Sequence, residues 1–279
     1  MRNPVHIRLR HIGLVSALLT VFILLSPVYA VLIPVTGEFQ VNTSTGAGSS
    51  LLDFRDDIGV DSTTGNFIIV WQSDVDATQS DVYFQRYNST GTAQGGNTLI
   101  HAGNVNDQRR PRIAVNSSNG DFVIVWESDD DASAGFNYNI YARKFNSSGA
   151  ALTGEILVAS AAGAQTDARV AMNSTGDFVV TWQSLGDGSS TGVYFQRYNS
   201  AGSPQGGTTQ ANVTTTNPQV FPVIGMDSSG NFVIAWRDAS VGPATPDIVM
   251  RRFNAAGAAL SGEATVGSTT NFQGDPGLS

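Results

Sequence analysis

Between residues 37 and 279 the apolar positions fall in short runs parted by turn residues, and one run comes back four times. It is Phe122-Val123-Ile124-Val125-Trp126, led in by Gly120-Asp121. Its copies are Gly65-Asn66-Phe67 to Trp71, Gly176-Asp177-Phe178 to Trp182 and Gly230-Asn231-Phe232 to Trp236. The tryptophans are 55, 56 and 54 residues apart. A run apolar at every position, too short for a helix and rich in β-branched residues, predicts a strand covered on both faces. A sheet with one wet face would alternate instead. No stretch of this region carries a sustained apolar stripe at helical spacing.

Three further extended pieces recur around that strand. One precedes it: Ile58-Gly59-Val60, Ile113-Ala114-Val115, Val170-Ala171-Met172 and Ile224-Gly225-Met226. Between the two stands a turn opened by Asp or Asn and closed by Gly, as in Asn116 to Gly120. An Asx side chain bonds the backbone ahead of it and Gly accepts a positive φ, so each turn predicts a hairpin. A third piece follows the tryptophan: Val82 to Tyr87, Ile140 to Phe145, Val193 to Tyr198 and Ile248 to Phe253. It ends in turns opened by Asn88, Asn146, Asn199 and Asn254. The fourth piece is Gly37 to Val41, then Thr98 to Ile100, Glu155 to Val158, Thr208 to Val213 and Glu263 to Val266.

A four-stranded unit that repeats at this spacing, with its central strand covered on both faces, predicts an all-β chain of β-propeller blades. The small middle residue of the first piece (Gly59, Ala114, Ala171 or Gly225) suits the crowded innermost strand. Tandem sandwiches would need roughly 100 residues per unit. The units run over about 58–110, 112–167, 169–221 and 223–275, and an incomplete fifth reaches 279. With one fourth-piece strand in excess, at Gly37–Val41, the chain is expected to be a truncated read of a longer protein whose terminal strand completes a last blade. Pro111, Asn116, Gly120, Phe122, Trp126, Tyr141, Phe145 and Asn146 carry a pattern that resembles the tandem propeller-like repeats of large exported bacterial surface and secreted proteins. The resemblance covers about residues 37–279. It implies blades that serve as binding platforms, and it names no ligand.

The N-terminus reads differently. Arg2, Arg8 and Arg10 precede an uncharged apolar run, Ile12 to Leu25, and Val28 and Ala30 fit a small-residue cleavage rule. This predicts a signal peptide over 1–30, a short linker over 31–36, and a secreted or cell-surface protein. The apolar core is shorter than the ~20 residues a membrane span needs. Beyond residue 30 there are 12 basic and 23 acidic residues, a net charge of −11. That balance argues against nucleic acid and anionic lipid as partners. The chain has no cysteine, so disulfides play no part in its stability.

A meander places the near-identical turns on one rim and the variable loops on the other. The variable set comprises Ser73–Asp81, Ser128–Asn139, Ser184–Gly192 and Asp238–Asp247, with His101–Pro111, Ser160–Ala168 and Thr214–Pro222. Variation on a fixed scaffold is where binding is expected. Asp129, Asp131, Phe136, Tyr138 and His101 are the candidate ligand-binding residues there. Carboxylates and exposed rings can hold a sugar; a solvated acidic hairpin with its aromatics tucked under is the plainer reading. Asp74 and Asp76, and Asp129 and Asp131, are the candidate Ca²⁺ pairs. Two carboxylates per loop fall short of the about six to eight oxygens Ca²⁺ takes. No other cofactor is expected. A single histidine, His101, lies beyond the leader, so zinc and Ser-His-Asp chemistry are disfavoured. Glu127 stands where other units have Gln72, Gln183 and Arg237, and it is the acid to watch for glycoside hydrolysis. Arg86, Lys144, Arg197 and Arg252 recur in every unit, which predicts a structural role such as pairing with an acid or covering a blade edge. Six Asn-x-Ser/Thr triplets, at Asn42, Asn88, Asn116, Asn146, Asn173 and Asn212, mostly coincide with turns, and turn chemistry explains them. The functional expectation is a non-enzymatic rim that binds protein or glycan. A propeller carbohydrate-active enzyme and a structural spacer are the alternatives.

Overall fold

The structure, a computed structural model, describes residue 41 and residues 56–74, 79–102, 107–129, 138–161, 163–185, 190–240 and 246–267. The expected leader, most of Gly37–Val41 and the entry to a fifth unit lie outside the described residues. Sixteen described strands form four antiparallel sheets, each in chain order. The first blade is β1 (Asp57–Val60), β2 (Phe67–Asp74), β3 (Ser80–Tyr87) and β4 (Thr98–Leu99). The second is β5 (Gln108–Val115), β6 (Phe122–Ser128), β7 (Asn139–Phe145) and β8 (Ile156–Ala159). The third is β9 (Gln165–Met172), β10 (Phe178–Leu185), β11 (Thr191–Tyr198) and β12 (Thr209–Gln210). The fourth is β13 (Gln219–Met226), β14 (Phe232–Asp238), β15 (Asp247–Phe253) and β16 (Ala264–Gly267). Blades pack face to face in sequence, and their first strands β1, β5, β9 and β13 touch one another in turn. These are β-propeller blades.

Strand β6 shows why its run is apolar at every position. It is buried along its whole length. Phe122, Ile124 and Trp126 pack with Ile68, Val70 and Phe84 of the first blade. Val123 and Val125 turn the other way and pack with Val180 and Trp182 of the third. Successive side chains point to opposite faces, and both faces meet a neighbouring blade. The small residue of the first strand is also accounted for at Gly59, where an added Cβ would lie 2.5 Å from Val115 Cγ2 of the next blade.

The repeated turns are built from their own Asx side chains. Asn116 Oδ1 accepts from Ser118 N at 2.9 Å, and Asn146 Oδ1 accepts from Ser148 N and Ala150 N. Asn88 and Asn173 act alike, and Asn212 is buried. At the recurrent basic position, expected to pair with an acid or cover a blade edge, three of the cations meet carbonyls of the next blade. Arg86 Nη1 donates to Ser147 O at 2.8 Å, Lys144 Nζ to Ser200 O at 2.6 Å and Arg197 Nη1 to Ala255 O at 2.8 Å. Each cation thus caps a turn carbonyl of the following blade.

The four blades are of two alternating kinds. Tyr83 to Ser89 and Tyr194 to Ser200 are the same seven residues. Buried Gln85 and Gln196 in these odd blades bond Gly95 O and Gly206 O within their own blade. At that position the even blades carry Arg143 and Arg251. Each reaches back to the preceding blade, to Ile100 O at 2.7 Å and Ala211 O at 2.9 Å. The first–second and third–fourth junctions also share an aromatic trio, Phe84, Phe122 and Phe145 in one and Phe195, Phe232 and Phe253 in the other. The second–third junction is of another kind, closed by Lys144.

Candidate functional site

Three of the variable loops end earlier than the sequence suggests. His101–Pro111, Ser160–Ala168 and Thr214–Pro222 were expected as loops, yet β5, β9 and β13 begin at Gln108, Gln165 and Gln219. The reason is a bulge. Opposite Trp126 the register of β5 skips Arg110 and Pro111; the same two-residue step occurs in β9 and β13. The first bulge residue takes a positive φ although it is not glycine: 51° at Arg110, 53° at Asp167 and 55° at Phe221. A bulge re-aims the residues around it at the end of a sheet.

Two bonds pin each bulge. The tryptophan indole donates to the glutamine that opens the strand: Trp126 to Gln108, Trp182 to Gln165 and Trp236 to Gln219, at 2.9, 3.0 and 2.8 Å. The N–H of the bulge residue donates to the preceding blade, to the residue that follows its tryptophan. Asp167 N meets Glu127 Oε1 at 2.7 Å, and Phe221 N meets Gln183 Oε1 at 2.9 Å. Arg110 N lies 3.4 Å from Gln72 Oε1.

On this common frame the second blade carries a charged cluster that the third and fourth lack. Where β9 has Thr166 and Asp167, and β13 has Val220 and Phe221, β5 has Arg109 and Arg110. Glu127, fully buried, lies between the two guanidiniums. Its Oε2 accepts from Arg109 Nε at 2.8 Å, and its Oε1 lies 3.5 Å from Arg110 Nη1. Arg110 Nη1 is also 4.0 Å from Asp167 Oδ1. Burial pushes the Glu127 carboxyl above its ordinary range, against the pull of the two arginines and the Asp167 N–H. The guanidinium of Arg109 also lies on the Tyr138 ring, 3.3 Å from its centroid.

Arg109 is therefore held at Nε and on one face, with a fifth of its side chain exposed. Among the described residues, no acceptor meets its Nη atoms. A guanidinium fixed in this way offers a planar pair of donors matched to a carboxylate or sulfate. Glu127 has no exposed surface, so it orients Arg109 and does not present an acid to solvent.

The sequence candidates are placed as follows. Tyr138 belongs to the cluster but is 2% exposed, covered by Arg109, so it is not an exposed stacking ring. Asp129 sits half-buried at the end of β6, its N–H donating to Asp107 O at 3.0 Å. His101 is buried in the first blade with Nε2 3.1 Å from Asp81 Oδ1. Asp131, Phe136 and Asp76, and the side chain of Asp74, lie outside the described residues. Among the described residues no three acids or histidines gather as a metal site. Arg109 and Arg110 lie in β5, within the stretch His101–Pro111 that the sequence reads as a loop. The signal available was their contrast with the other units at one strand end. A second recess, lined by Val158, Gln165, Trp182, Leu185 and Tyr194, opens between the second and third blades. Its groups Gln165 and Trp182 bond each other, and Ser160, Ser184 and Thr208 also line it.

No protein-family model and no curated protein matches this sequence. Among solved structures, the chain is similar to a Hadza microbial sialidase, with a TM-score of 0.52 at 11% identity over 70% of this chain and 43% of that one. It is similar also to a protein of unknown function from Dyadobacter fermentans, with a TM-score of 0.52 at 8% identity over 77% of this chain and 69% of the other. An endo-arabinase from Bacteroides thetaiotaomicron aligns at 0.46, with 14% identity over 78% and 82% of the two chains. The chain thus spans less than half the length of the sialidase. At these identities the likeness is one of fold, the β-propeller.

Proposed function

We propose that this chain is an exported, non-enzymatic binding protein whose variable rim takes an acidic glycan, with Arg109 as the contact to the sugar's anionic group. The observation that carries the reading is the state of Arg109: anchored at Nε by Glu127 and backed by Tyr138, with no acceptor at either Nη atom among the described residues. A preorganised guanidinium loses little freedom on binding, and so favours a planar anion over a neutral hydroxyl. The chain's net negative charge works against large polyanions and favours a short ligand with one anionic group near the rim. Export follows from the leader read in residues 1–30.

A glycan-cleaving enzyme is the second reading, and the sialidase among the similar folds favours it. Against it stands Glu127, whose two oxygens are both engaged and out of solvent. A screen of neutral and acidic oligosaccharides against the purified chain separates the readings. Retention of uronate or sulfated sugars without turnover supports binding. Release of product sugar points to the enzyme, and no retention of acidic over neutral sugars contradicts the proposal.

A further inference from the structure

The two junctions that share an aromatic trio also share a recess, on the rim of near-identical turns and at the opposite end of the strands from Arg109. One recess, of about 120 Å³, lies between the first and second blades; the other, of about 210 Å³, lies between the third and fourth. Tyr87, Asn88 and Gln94 line the first where Tyr198, Asn199 and Gln205 line the second. An arginine braces each. Arg197 donates to Ala255 O across the junction and to Gln205 O, as Arg86 does to Ser147 O and Gln94 O. Each recess also has one acid and one amide at the same two positions, but exchanged: Asp61 and Asn66 in the first, Asn173 and Asp177 in the second.

That exchange leaves donors unmet in the larger recess. Asn173 is 7% exposed, and its Oδ1 accepts from Thr175 N, Thr175 Oγ1 and Asp177 N. Its Nδ2 is thereby turned to the fourth blade, where a Cβ added at Gly230 would lie 3.2 Å away. The equivalent Asn116 Nδ2 donates to Ser174 O across the second–third junction. Among the described residues no acceptor meets Asn173 Nδ2. Tyr198 is 3% exposed and stacks on Phe178 with centroids 4.8 Å apart. Among the described residues no partner meets its hydroxyl, and burial raises its phenol above the ordinary range. Native proteins leave few buried polar groups unmet. The half-buried Asp177 supplies a carboxylate to the same recess, and Val179 and Met226 supply apolar surface.

Two donors, one carboxylate and an apolar patch match a secondary amide that carries a methyl. The carbonyl accepts, the N–H donates, and the methyl meets Val179 and Met226. Arg197 and Asp177 balance in charge, which suits a neutral group. The volume falls below the about 300–1,000 Å³ of pockets that enclose a whole drug-sized ligand, so a single substituent enters. Gln205 and Ser229, exposed polar side chains of the lining, suit the hydroxyls of a sugar ring outside it. We infer that the recess between the third and fourth blades binds the acetamido group of an N-acetylated amino sugar, its carbonyl towards Tyr198 and Asn173 and its N–H towards Asp177. The site is separate from the Arg109 cluster, and neither depends on the other.

Two-dimensional NMR titration of the purified chain tests it, with N-acetylglucosamine, glucose and N-acetylglycine amide as probes. The expected result is a saturable shift of the Asn173 side-chain amide with N-acetylglucosamine and none with glucose. Tyr198→Phe weakens that binding by about two- to tenfold, the worth of one neutral hydrogen bond. Asn173→Asp keeps the turn acceptor, as Asp61 does, and weakens binding by about tenfold or more, because a donor becomes a second carboxylate beside Asp177. Circular dichroism melts confirm that both variants are folded. No shift at about 50 mM N-acetylglucosamine, well above a millimolar dissociation constant, overturns the inference. So does an equal response to glucose, a stronger one to N-acetylglycine amide, or unchanged affinity in both variants.

Discussion

Trp126 Nε1 donates to Gln108 Oε1 at 2.9 Å, with both side chains buried opposite the bulge in β5. The pair does two jobs. It satisfies an indole N–H that could find no water there, and it fixes the strand end that carries Arg109. Gln108→Leu is of similar size and leaves that donor orphaned. A buried unsatisfied group costs about 1–3 kcal/mol. Urea denaturation should show a loss in that range with little change in m-value, and Gln165→Leu should behave alike in the next blade.

Close approach of the inner strands makes a second prediction. A methyl at Gly59 would sit 2.5 Å from Val115 Cγ2. Overpacking of this sort costs roughly 1–3 kcal/mol. Gly59→Ala should lower the melting temperature, and adding Val115→Ala should restore part of the loss. The two changes are then non-additive, as contacting residues are.

Alkaline stability should depend on Tyr198. It is buried, and burial pushes its phenol well above the ordinary tyrosine range. The folded chain therefore keeps this proton at pH values where the unfolded chain loses it. The stability it contributes is fully present below pH 10, the ordinary value, and drains away as pH rises above it. The even blades place Phe145 and Phe253 at this position, so Tyr198→Phe should fold with similar stability at neutral pH. Its melting temperature should fall less steeply than wild type above pH 10.

Glu127 makes the opposite kind of case. Its carboxyl is raised by burial, so the folded chain holds a proton more readily than the unfolded one from the ordinary carboxylate value of 4.5 upward. Stability from this group is greatest at or below that value and declines as pH rises through the raised one. Glu127→Gln can still accept from Asp167 N through its amide oxygen, as Gln183 does for Phe221. Thermal melts followed upward from pH 4.5 should be flatter for the variant. Ligand binding should weaken because Arg109 loses its Nε anchor.

The blade architecture was legible because β6 and its copies carry an apolar residue at every position, which a strand wet on one face does not. The bulges were not legible. Gln108, Gln165 and Gln219 open β5, β9 and β13, but they sit among residues that vary, and a buried glutamine looks like loop in sequence. The Arg109 cluster was hidden for the same reason. Tyr138 reads in sequence either as an exposed ring or as one tucked under its hairpin, and only tertiary contact shows Arg109 lying over it. The odd–even alternation was written openly in the repeat of Tyr83 to Ser89 at Tyr194 to Ser200. A search for a single repeat length passes over it, since its meaning lies in which junction each blade forms.

The most direct test of the binding account is calorimetric titration of a short uronate- or sulfate-bearing oligosaccharide into wild type, Arg109→Lys and Arg109→Ala. A charged hydrogen-bonding contact is worth about 1.5–3 kcal/mol, so Arg109→Ala should weaken binding by roughly 10- to 100-fold. Arg109→Lys should recover only part of it, because a point charge lacks the planar pair of donors. Equal affinities for wild type and Arg109→Ala, or tighter binding of the matched neutral sugar, would contradict the account.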